Sequence, residues 1–257
     1  MLELQGLTKS FRGIPAIKDI SFKVAAGEVV GFLGPNGAGK STTVKIITGM
    51  LRPNEGKVLF EGGDVTDDMV GFRAAFGYVP EEPYLYTYLS GLEYLQLVGR
   101  IRGLGEALIE VKATRLLKLL RLESWQYSPI SSYSKGMRQR VLIAAALLHD
   151  PKLLIFDEAL SGLDVDSVRL FKDLLALMAA EGKAVLFITH VLETVEQLCD
   201  RVVVIAKGRI VADSRPSELK SLMSLPSMES VFAQLVQQQD TRETANEVLE
   251  VMRMSHA

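Results

Sequence analysis

The sequence is poor in cysteine and has no long apolar run, and both absences exclude classes of protein. Its 257 residues include one cysteine, Cys199, so an internal disulfide framework is excluded and a reducing cytosol is expected. Apolar stretches such as 141–148 fall far short of the roughly 20 residues that cross a bilayer. No basic region followed by an apolar stretch stands at the N-terminus, and we expect no signal peptide. The net charge of −2 gives no reason to expect binding to nucleic acid.

The most informative segment that is present covers residues 34–42 and reads Gly-Pro-Asn-Gly-Ala-Gly-Lys-Ser-Thr. It is a complete phosphate-binding loop, and it lies between a predicted buried strand at 29–33 and a predicted helix at 42–50. An ordinary glycine-rich turn is the alternative, which this strand–loop–helix context disfavours. We expect the nucleotide to contact Gly34, Pro35, Asn36, Gly37, Ala38, Gly39, Lys40, Ser41 and Thr42.

Each part of this loop has a chemical reason. The glycines let successive backbone N–H groups point at the phosphates of a nucleotide, and the helix N-terminus adds partial positive charge at the same place. Lys40 can then reach the outer phosphates, and the hydroxyl of Ser41 can ligate Mg²⁺. The loop therefore predicts a site for a nucleotide with a magnesium ion.

A second apolar strand, at 153–156, ends in the two carboxylates Asp157 and Glu158. In a phosphate-loop protein the first carboxylate can hold Mg²⁺, directly or through water. The second can orient and deprotonate a water molecule for attack on the γ-phosphate. Many strands end in two carboxylates simply because that end is solvated. Together with the loop that begins at Gly34, however, this pair indicates an ATP-hydrolysing site.

The order of strand and helix patterns predicts an α/β fold. Residues 1–30 alternate in the manner of strands, and we expect an N-terminal antiparallel β subdomain. Buried apolar strands then alternate with helices, which indicates a phosphate-loop ATPase core with a mainly parallel sheet. A helical pattern from about 90 to 122 predicts an inserted α-helical subdomain over about residues 83–150.

The last part of the chain is expected to be a helical tail, residues 216–257. It reads as two or three short helices that a polar joint at 237–240 interrupts. A predicted helix at 241–254 places four apolar residues on one face. This face could pack on the core or on a second subunit, and a frayed tail is the alternative.

Four further features resemble motifs of ABC-type ATPases. Residues 134–140 resemble the signature sequence of that family, and 161–164 resemble its D-loop. His190, at the end of an apolar strand, resembles the switch histidine, and Phe11 resembles the aromatic residue that stacks on adenine. The alternatives without a functional role are that His190 only ends a strand and that Phe11 only fills the core. The motifs follow the family's order, and the resemblance covers about residues 1–215, which we expect to be the nucleotide-binding domain.

The resemblance implies that two subunits pair head to tail and that each ATP lies between them. Ser134 of one subunit would donate a hydrogen bond to the γ-phosphate held by the other, and Gly136 would let a backbone N–H approach the same group. Asp164 would couple the two sites across the interface, and His190 would contact the γ-phosphate and the attacking water. The expected catalytic residues are Lys40, Glu158 and His190, and the cofactors are ATP and Mg²⁺.

The chain departs from the family pattern at a few positions. Glu81 and Glu82 stand where the family usually carries a glutamine, and we expect Glu81 to keep that residue's contact with Mg²⁺. A carboxylate there would bind the metal more strongly but would repel the phosphate oxygens. Lys135 and Met137 replace the usual glycine and glutamine of the signature sequence.

The resemblance further implies a separate ATP-binding subunit of a transporter, with export as the preferred direction. It would dock on an integral membrane transporter subunit at the cytoplasmic side of the cell membrane, as a homodimer or as a heterodimer with a related ATPase. Residues 83–89, with three tyrosines and two leucines, could form the docking surface or could pack on their own subdomain. A soluble ABC-type ATPase that acts in translation or DNA maintenance is the alternative function.

Overall fold

A computed structural model describes residues 1–223, Leu225 and residues 227–236. Its strands are β1 (Leu2–Phe11), β2 (Ile14–Val24), β3 (Val29–Leu33), β4 (Glu55–Phe60), β5 (Gly63–Asp64), β6 (Phe76–Val79), β7 (Leu153–Asp157), β8 (Ala184–Thr189), β9 (Arg201–Ala206) and β10 (Arg209–Ser214). Its helices are α1 (Lys40–Ile47), α2 (Met69–Ala75), α3 (Gly91–Ile101), α4 (Glu106–Leu119), α5 (Lys135–Leu147), α6 (Val165–Ala180), α7 (Leu192–Leu198), α8 (Pro216–Leu222) and α9 (Met228–Val236). The predicted polar joint and the predicted helix at 241–254 lie outside the described residues.

The N-terminal strands form a four-stranded antiparallel sheet in the order β2-β1-β4-β5. β1 and β2 make a long hairpin whose turn places Arg12 and Gly13 at positive φ. Along β1 the alternation of the sequence buries Leu2, Leu4 and Leu7, as expected for a sheet with one covered face. The predicted antiparallel subdomain is confirmed.

The central sheet has six strands in the order β10-β9-β3-β8-β7-β6. Neighbours from β9 to β6 are parallel, and β10 adds an antiparallel edge. Every residue of β3, β7 and β8 is buried, because the N-terminal sheet and α1 cover one face of this sheet and α5, α6 and α7 cover the other. The predicted mainly parallel sheet is confirmed. The register pairs Leu33 with Thr189 and Asp157 with Ile188, so the ends of β3, β7 and β8 meet at one edge.

The helices α3, α4 and α5 pack around a buried cluster of their own, which includes Leu95, Ala113 and Val141. Leu85 and Leu120 border both this cluster and the one that lies against the central sheet. α5 begins at Lys135 because Ser134 caps it there. Within the described ranges, no helix combines the length and the apolar character needed to span a bilayer.

Two short helices, α8 and α9, follow Arg215 in the described residues, and the predicted helical tail over 216–257 stays a prediction. α8 begins with Pro216, whose fixed φ suits the first turn of a helix. Met228 and Val231 of α9 are fully buried and pack with Leu219 of α8. α9 also contacts α7, and this contact fixes both short helices against the core.

Candidate functional site

A cleft of about 400 Å³ opens at the edge where β3, β7 and β8 end. It is lined by Ala16, Pro35, Asn36, Gly37, Gly39, Lys40, Ser41, Thr42, Glu81, Asp157, Glu158 and His190. The fold therefore brings the phosphate-binding loop, both strand-end carboxylates and the predicted switch histidine to one place. Gly39 must be glycine here: its φ is +112°, and a Cβ would lie 2.5 Å from Ile17 Cγ2.

Lys40 lies within the curve of the loop. Its Nζ donates to the carbonyl oxygens of Gly34 at 2.5 Å and Pro35 at 3.1 Å. Burial lowers the pKa of Lys40, and the nearby carboxylates of Glu158 and Asp157 oppose this shift. The ammonium is thus held beside the backbone N–H groups that the loop presents to phosphate.

Asp157 is almost completely buried, and it lies close to other carboxylates. Burial, followed by the charges of Glu81 and Glu158, raises its pKa to about 6. Tyr78 donates a hydrogen bond to this carboxylate. Burial and the charge of Asp157 raise the pKa of Tyr78, so the phenol stays a donor. We did not predict Tyr78 from the sequence, although β6 and β7 are adjacent parallel strands and place it beside the site.

The residues at this edge fit a magnesium ion. Ser41, Asp157 and Glu81 line the same cleft, and their oxygen atoms are the donors that Mg²⁺ prefers. Repulsion from Glu81 and Glu158 adds to the effect of burial on the pKa of Asp157, and a divalent cation would relieve this repulsion. In the part of the chain that the structure describes, no three His, Cys, Asp or Glu side chains could hold a metal together. Phosphate oxygens and water would therefore complete the shell, as is usual for Mg²⁺.

We expect Glu81→Gln to raise the Mg²⁺ concentration for half-maximal ATP hydrolysis by about 3- to 10-fold, because one carboxylate ligand is lost. The measurement is the ATPase rate against Mg²⁺ at fixed ATP. Glu82→Gln is the matched control, since the neighbouring carboxylate accepts from the Tyr84 hydroxyl at 2.6 Å and does not line the cleft. An unchanged rate and an unchanged Mg²⁺ dependence in Glu81→Gln would contradict a metal-binding role.

Glu158 and His190 form a pair at the mouth of the cleft. The Glu158 Oε1 lies 2.7 Å from His190 Nδ1, and its Oε2 accepts from Thr189 Oγ1 at 3.2 Å. The side chain of Glu158 is 11% exposed and that of His190 69%. Glu158 is therefore enclosed by the protein, while His190 faces solvent and is accessible to a second molecule.

The backbone of Glu158 is held in an uncommon conformation. Its φ is +50°, and its N–H donates to the carbonyl of Ile188 at 2.9 Å. A non-glycine residue at positive φ is uncommon and is found where surrounding contacts over-determine the backbone. Thr189, which we did not predict, holds the side chain of Glu158 instead, and its own hydroxyl is fixed by accepting from the N–H of Val191.

The residues of the predicted signature segment (134–140) lie outside the lining of this cleft. Ser134 caps α5, and its Oγ accepts from the N–H of Met137 at 3.2 Å. Asp164 caps α6 and accepts from the N–H of Ser167 at 2.8 Å. Hydrogen bonds from Ser167 lower the pKa of Asp164. Both residues are exposed, so they are accessible to a partner.

Gly136 has a reason to be glycine within its own chain. A Cβ at this position would lie 2.4 Å from the carbonyl oxygen of Gly162. This close approach joins the signature segment to the D-loop segment (161–164), a contact that the sequence did not predict. The predicted approach of Gly136 to a phosphate remains a separate prediction.

Phe11 ends β1 at the hairpin turn and does not line the phosphate cleft. Its side chain is 48% exposed, and the Lys9 Nζ lies 5.6 Å from the centre of its ring. The alternative that Phe11 fills the core is therefore wrong. An exposed ring next to the turn suits stacking on a base, which remains a prediction.

The segment 83–89 presents its tyrosines to solvent. Tyr84 and Tyr88 are more than three-quarters exposed, and Tyr86 is more than half exposed. Leu85 points the other way and packs between the two core clusters. The ring of Tyr86 also lies 6.5 Å from that of Tyr94 in α3, so Leu85 and Tyr86 tie the segment to its own subdomain while Tyr84 and Tyr88 face solvent.

Comparisons with known proteins agree with this geometry. A model of the ABC transporter family matches residues 17–161 of the chain. The Nod factor export ATP-binding protein I of Rhizobium leguminosarum bv. viciae is 39% identical over 218 residues, which make up 85% of this chain and 70% of that protein.

Two solved structures are similar to this chain over most of its length. A structure of an ATP-binding subunit of an ABC transporter has a TM-score of 0.86 and 34% identity, over 91% of this chain and 99% of that one. A dimeric ATP-binding cassette in a post-hydrolysis state, bound to ADP and phosphate, has a TM-score of 0.77 and 26% identity, over 84% of this chain and 98% of that one.

Proposed function

The chain belongs to the ABC transporter family, and from this premise we propose that two copies of it pair head to tail as the ATPase of an exporter. As an ATP-binding subunit of this family it hydrolyses ATP. One observation carries the pairing: the cleft holds Lys40, Asp157, Glu158 and His190, whereas the exposed Ser134 lies elsewhere on the surface. A second copy would bring its Ser134 to the phosphates.

The phosphate side of the site belongs to one copy. Lys40 and the loop N–H groups bind the β- and γ-phosphates, and Ser41, Asp157 and Glu81 would hold Mg²⁺. When bound, the ion would draw electron density from the phosphate oxygens and so favour attack at phosphorus. Tyr78 keeps the Asp157 carboxylate turned towards the cleft through its hydrogen bond.

Glu158 and His190 act on the attacking water. Glu158 accepts a proton from this water while Thr189 and His190 fix its two carboxylate oxygens. His190 is exposed on its outer side, where it can contact the γ-phosphate of a nucleotide that the partner covers. The pair thus aligns the base and the phosphate before the second copy closes the site.

The other side of the site comes from the second copy. Ser134 donates its hydroxyl to the γ-phosphate, and the N-terminus of α5 adds partial positive charge there. Asp164, at the N-terminus of α6, lies on the same face and links the two ATP sites. ATP then holds the two copies together, and its hydrolysis releases them.

The direction of transport and the partner follow from the relatives and from the surface. A relative at 39% identity is named as an export protein, and this supports export as the direction for this chain. The exposed tyrosines of segment 83–89 offer apolar area with polar tips, which suits contact with another protein. We place the chain at the cytoplasmic face of the membrane, docked through this segment on an integral membrane subunit.

Affinity purification from detergent-solubilised cells tests this assignment. The tagged chain should retain an integral membrane protein. A variant with Tyr84, Tyr86 and Tyr88 replaced by serine should retain at least about 10-fold less, because exposed aromatic anchors dominate such contacts. Val70→Ser, an exposed apolar residue of α2, is the control and should not change the yield. Retention of ribosomes or DNA instead would support the soluble alternative and contradict transport.

A further inference from the structure

Lys135 is the first residue of α5, and its ammonium is bonded to a neighbouring loop. The Lys135 Nζ donates to Ser161 Oγ at 3.1 Å. Its methylene groups cover Gly162, since a Cβ built on that glycine would lie 3.3 Å from Lys135 Cδ. Among the described residues, no carboxylate forms an ion pair with this ammonium, and its hydrogen-bond partner is a hydroxyl.

The helix itself gives no reason for a lysine at this position. A positive charge at a helix N-terminus opposes the macrodipole and destabilises the helix. α5 nevertheless begins with Lys135, carries Arg138 in its first turn and has no acidic residue there. Arg138 donates to the carbonyls of Ile130 and Ser131, so its position is explained by the preceding turn. The contact that explains Lys135 is the one with the D-loop segment.

The same two segments touch at a second point. The Cα of Gly136 lies so close to the Gly162 carbonyl that a Cβ would be 2.4 Å from that oxygen. The charge of Arg140 also lowers the pKa of Asp164, although the hydrogen bonds from Ser167 lower it more. Backbone packing and side-chain bonding therefore join the signature segment to the D-loop segment within one chain.

We propose that Lys135 is a positioning residue that couples these two segments, so that they move together at the dimer interface. The inference rests on the head-to-tail pairing proposed above. In that pairing the signature segment and the D-loop segment of one copy both face the nucleotide site of the other copy. When the signature segment closes on that nucleotide, a bond between the two segments makes the D-loop segment move with it. Lys135 would then set how strongly ATP draws the copies together and how strongly one ATP site affects the second.

A double-mutant cycle tests the bond. In a Glu158→Gln background, the ATP concentration that gives half-maximal dimer is measured by analytical ultracentrifugation for Lys135→Met, Ser161→Ala and the double variant. We expect each single change to raise this concentration about 3- to 10-fold, because a charge-assisted hydrogen bond is lost. The double variant should be no worse than Lys135→Met, since both changes remove the same bond.

Three further readouts separate positioning from a general structural effect. Lys135→Arg keeps the charge and a donor, and it should restore most of the dimer affinity. With Glu158 intact, Lys135→Met should lower the Hill coefficient of ATP hydrolysis towards one and raise the half-saturating ATP, while the rate at saturation falls less than about 3-fold. The control Lys118→Met, on the exposed face of α4, should change none of these values. Thermal unfolding checks that every variant is folded.

The outcomes are distinct. If Ser161→Ala leaves dimerisation unchanged, or if the two changes add fully, Lys135 acts without Ser161 and the inference is wrong. If neither variant changes dimer affinity or cooperativity while Glu158→Gln still dimerises with ATP, the pairing stands and the inference alone fails. If Glu158→Gln itself never dimerises with ATP, the proposed pairing fails instead.

Discussion

Glu158→Gln is expected to reduce ATP hydrolysis by at least about 100-fold, because a general base of this kind contributes 10²- to 10⁴-fold to a rate. Glutamine keeps the size of the side chain, and its amide can still accept from Thr189. It cannot take a proton from water at neutral pH. The variant should therefore bind ATP and accumulate as an ATP-bound dimer, which size-exclusion chromatography with bound-nucleotide assay would detect.

The matched control is Glu181→Gln, an exposed glutamate at the end of α6 that does not line the cleft. It should hydrolyse ATP at the wild-type rate and should not accumulate as a dimer. Wild-type turnover by Glu158→Gln would show that another group deprotonates the water. A variant that loses turnover and stays folded on thermal unfolding, but never dimerises with ATP, would contradict the proposed pairing.

The second large effect is the recovery of activity when two inactive variants are mixed. Lys40→Ala removes the phosphate contact of one copy, and Ser134→Arg blocks the side that the other copy would supply. Each variant alone should lose about 100-fold or more in rate: Lys40→Ala removes charge stabilisation at the phosphates, and the bulk introduced by Ser134→Arg keeps the second copy from closing on them. In a mixed dimer, one site would combine the intact Lys40 of one chain with the intact Ser134 of the other.

An equal mixture should recover about a quarter of the wild-type rate, because half of the dimers are mixed and each holds one intact site. The control mixture pairs Lys40→Ala with a chain that carries both changes, and it contains no intact Lys40. It should stay inactive. No recovery in the first mixture, or full activity of Ser134→Arg as a monomer, would contradict the head-to-tail arrangement.

The site residues that belong to short contiguous motifs could be predicted from the sequence. The loop at 34–42 needs only its glycines, Lys40 and Ser41 in order, and the flanking strand and helix are readable from the apolar pattern. Asp157 and His190 each end a short apolar run, and parallel strands bring such ends to one edge. The structure places all of these residues in one cleft, as the motifs indicate.

The contacts between distant segments could not be predicted in the same way. β1 pairs with β4 across the whole phosphate-binding loop, and α2 was not expected from its short pattern. The bond from Tyr78 to Asp157 depends on which strand lies beside β7, and sequence spacing does not fix that order. Lys135 was visible as a departure from the family pattern, but its partner Ser161 was not.

The helices α3, α4 and α5 enclose their own apolar interior, and Leu85 and Leu120 are residues where this interior meets that of the nucleotide-binding sheet. Substitutions inside that bundle can therefore reshape the surface offered to a membrane protein without repacking the strands that carry Lys40 and Asp157. In this way one ATPase core can be matched, in evolution, to different membrane subunits. Substitutions in α5 are the exception, because Leu142 and Ile143 pack in the interior of the sheet and Val141 and Ala144 in that of the bundle.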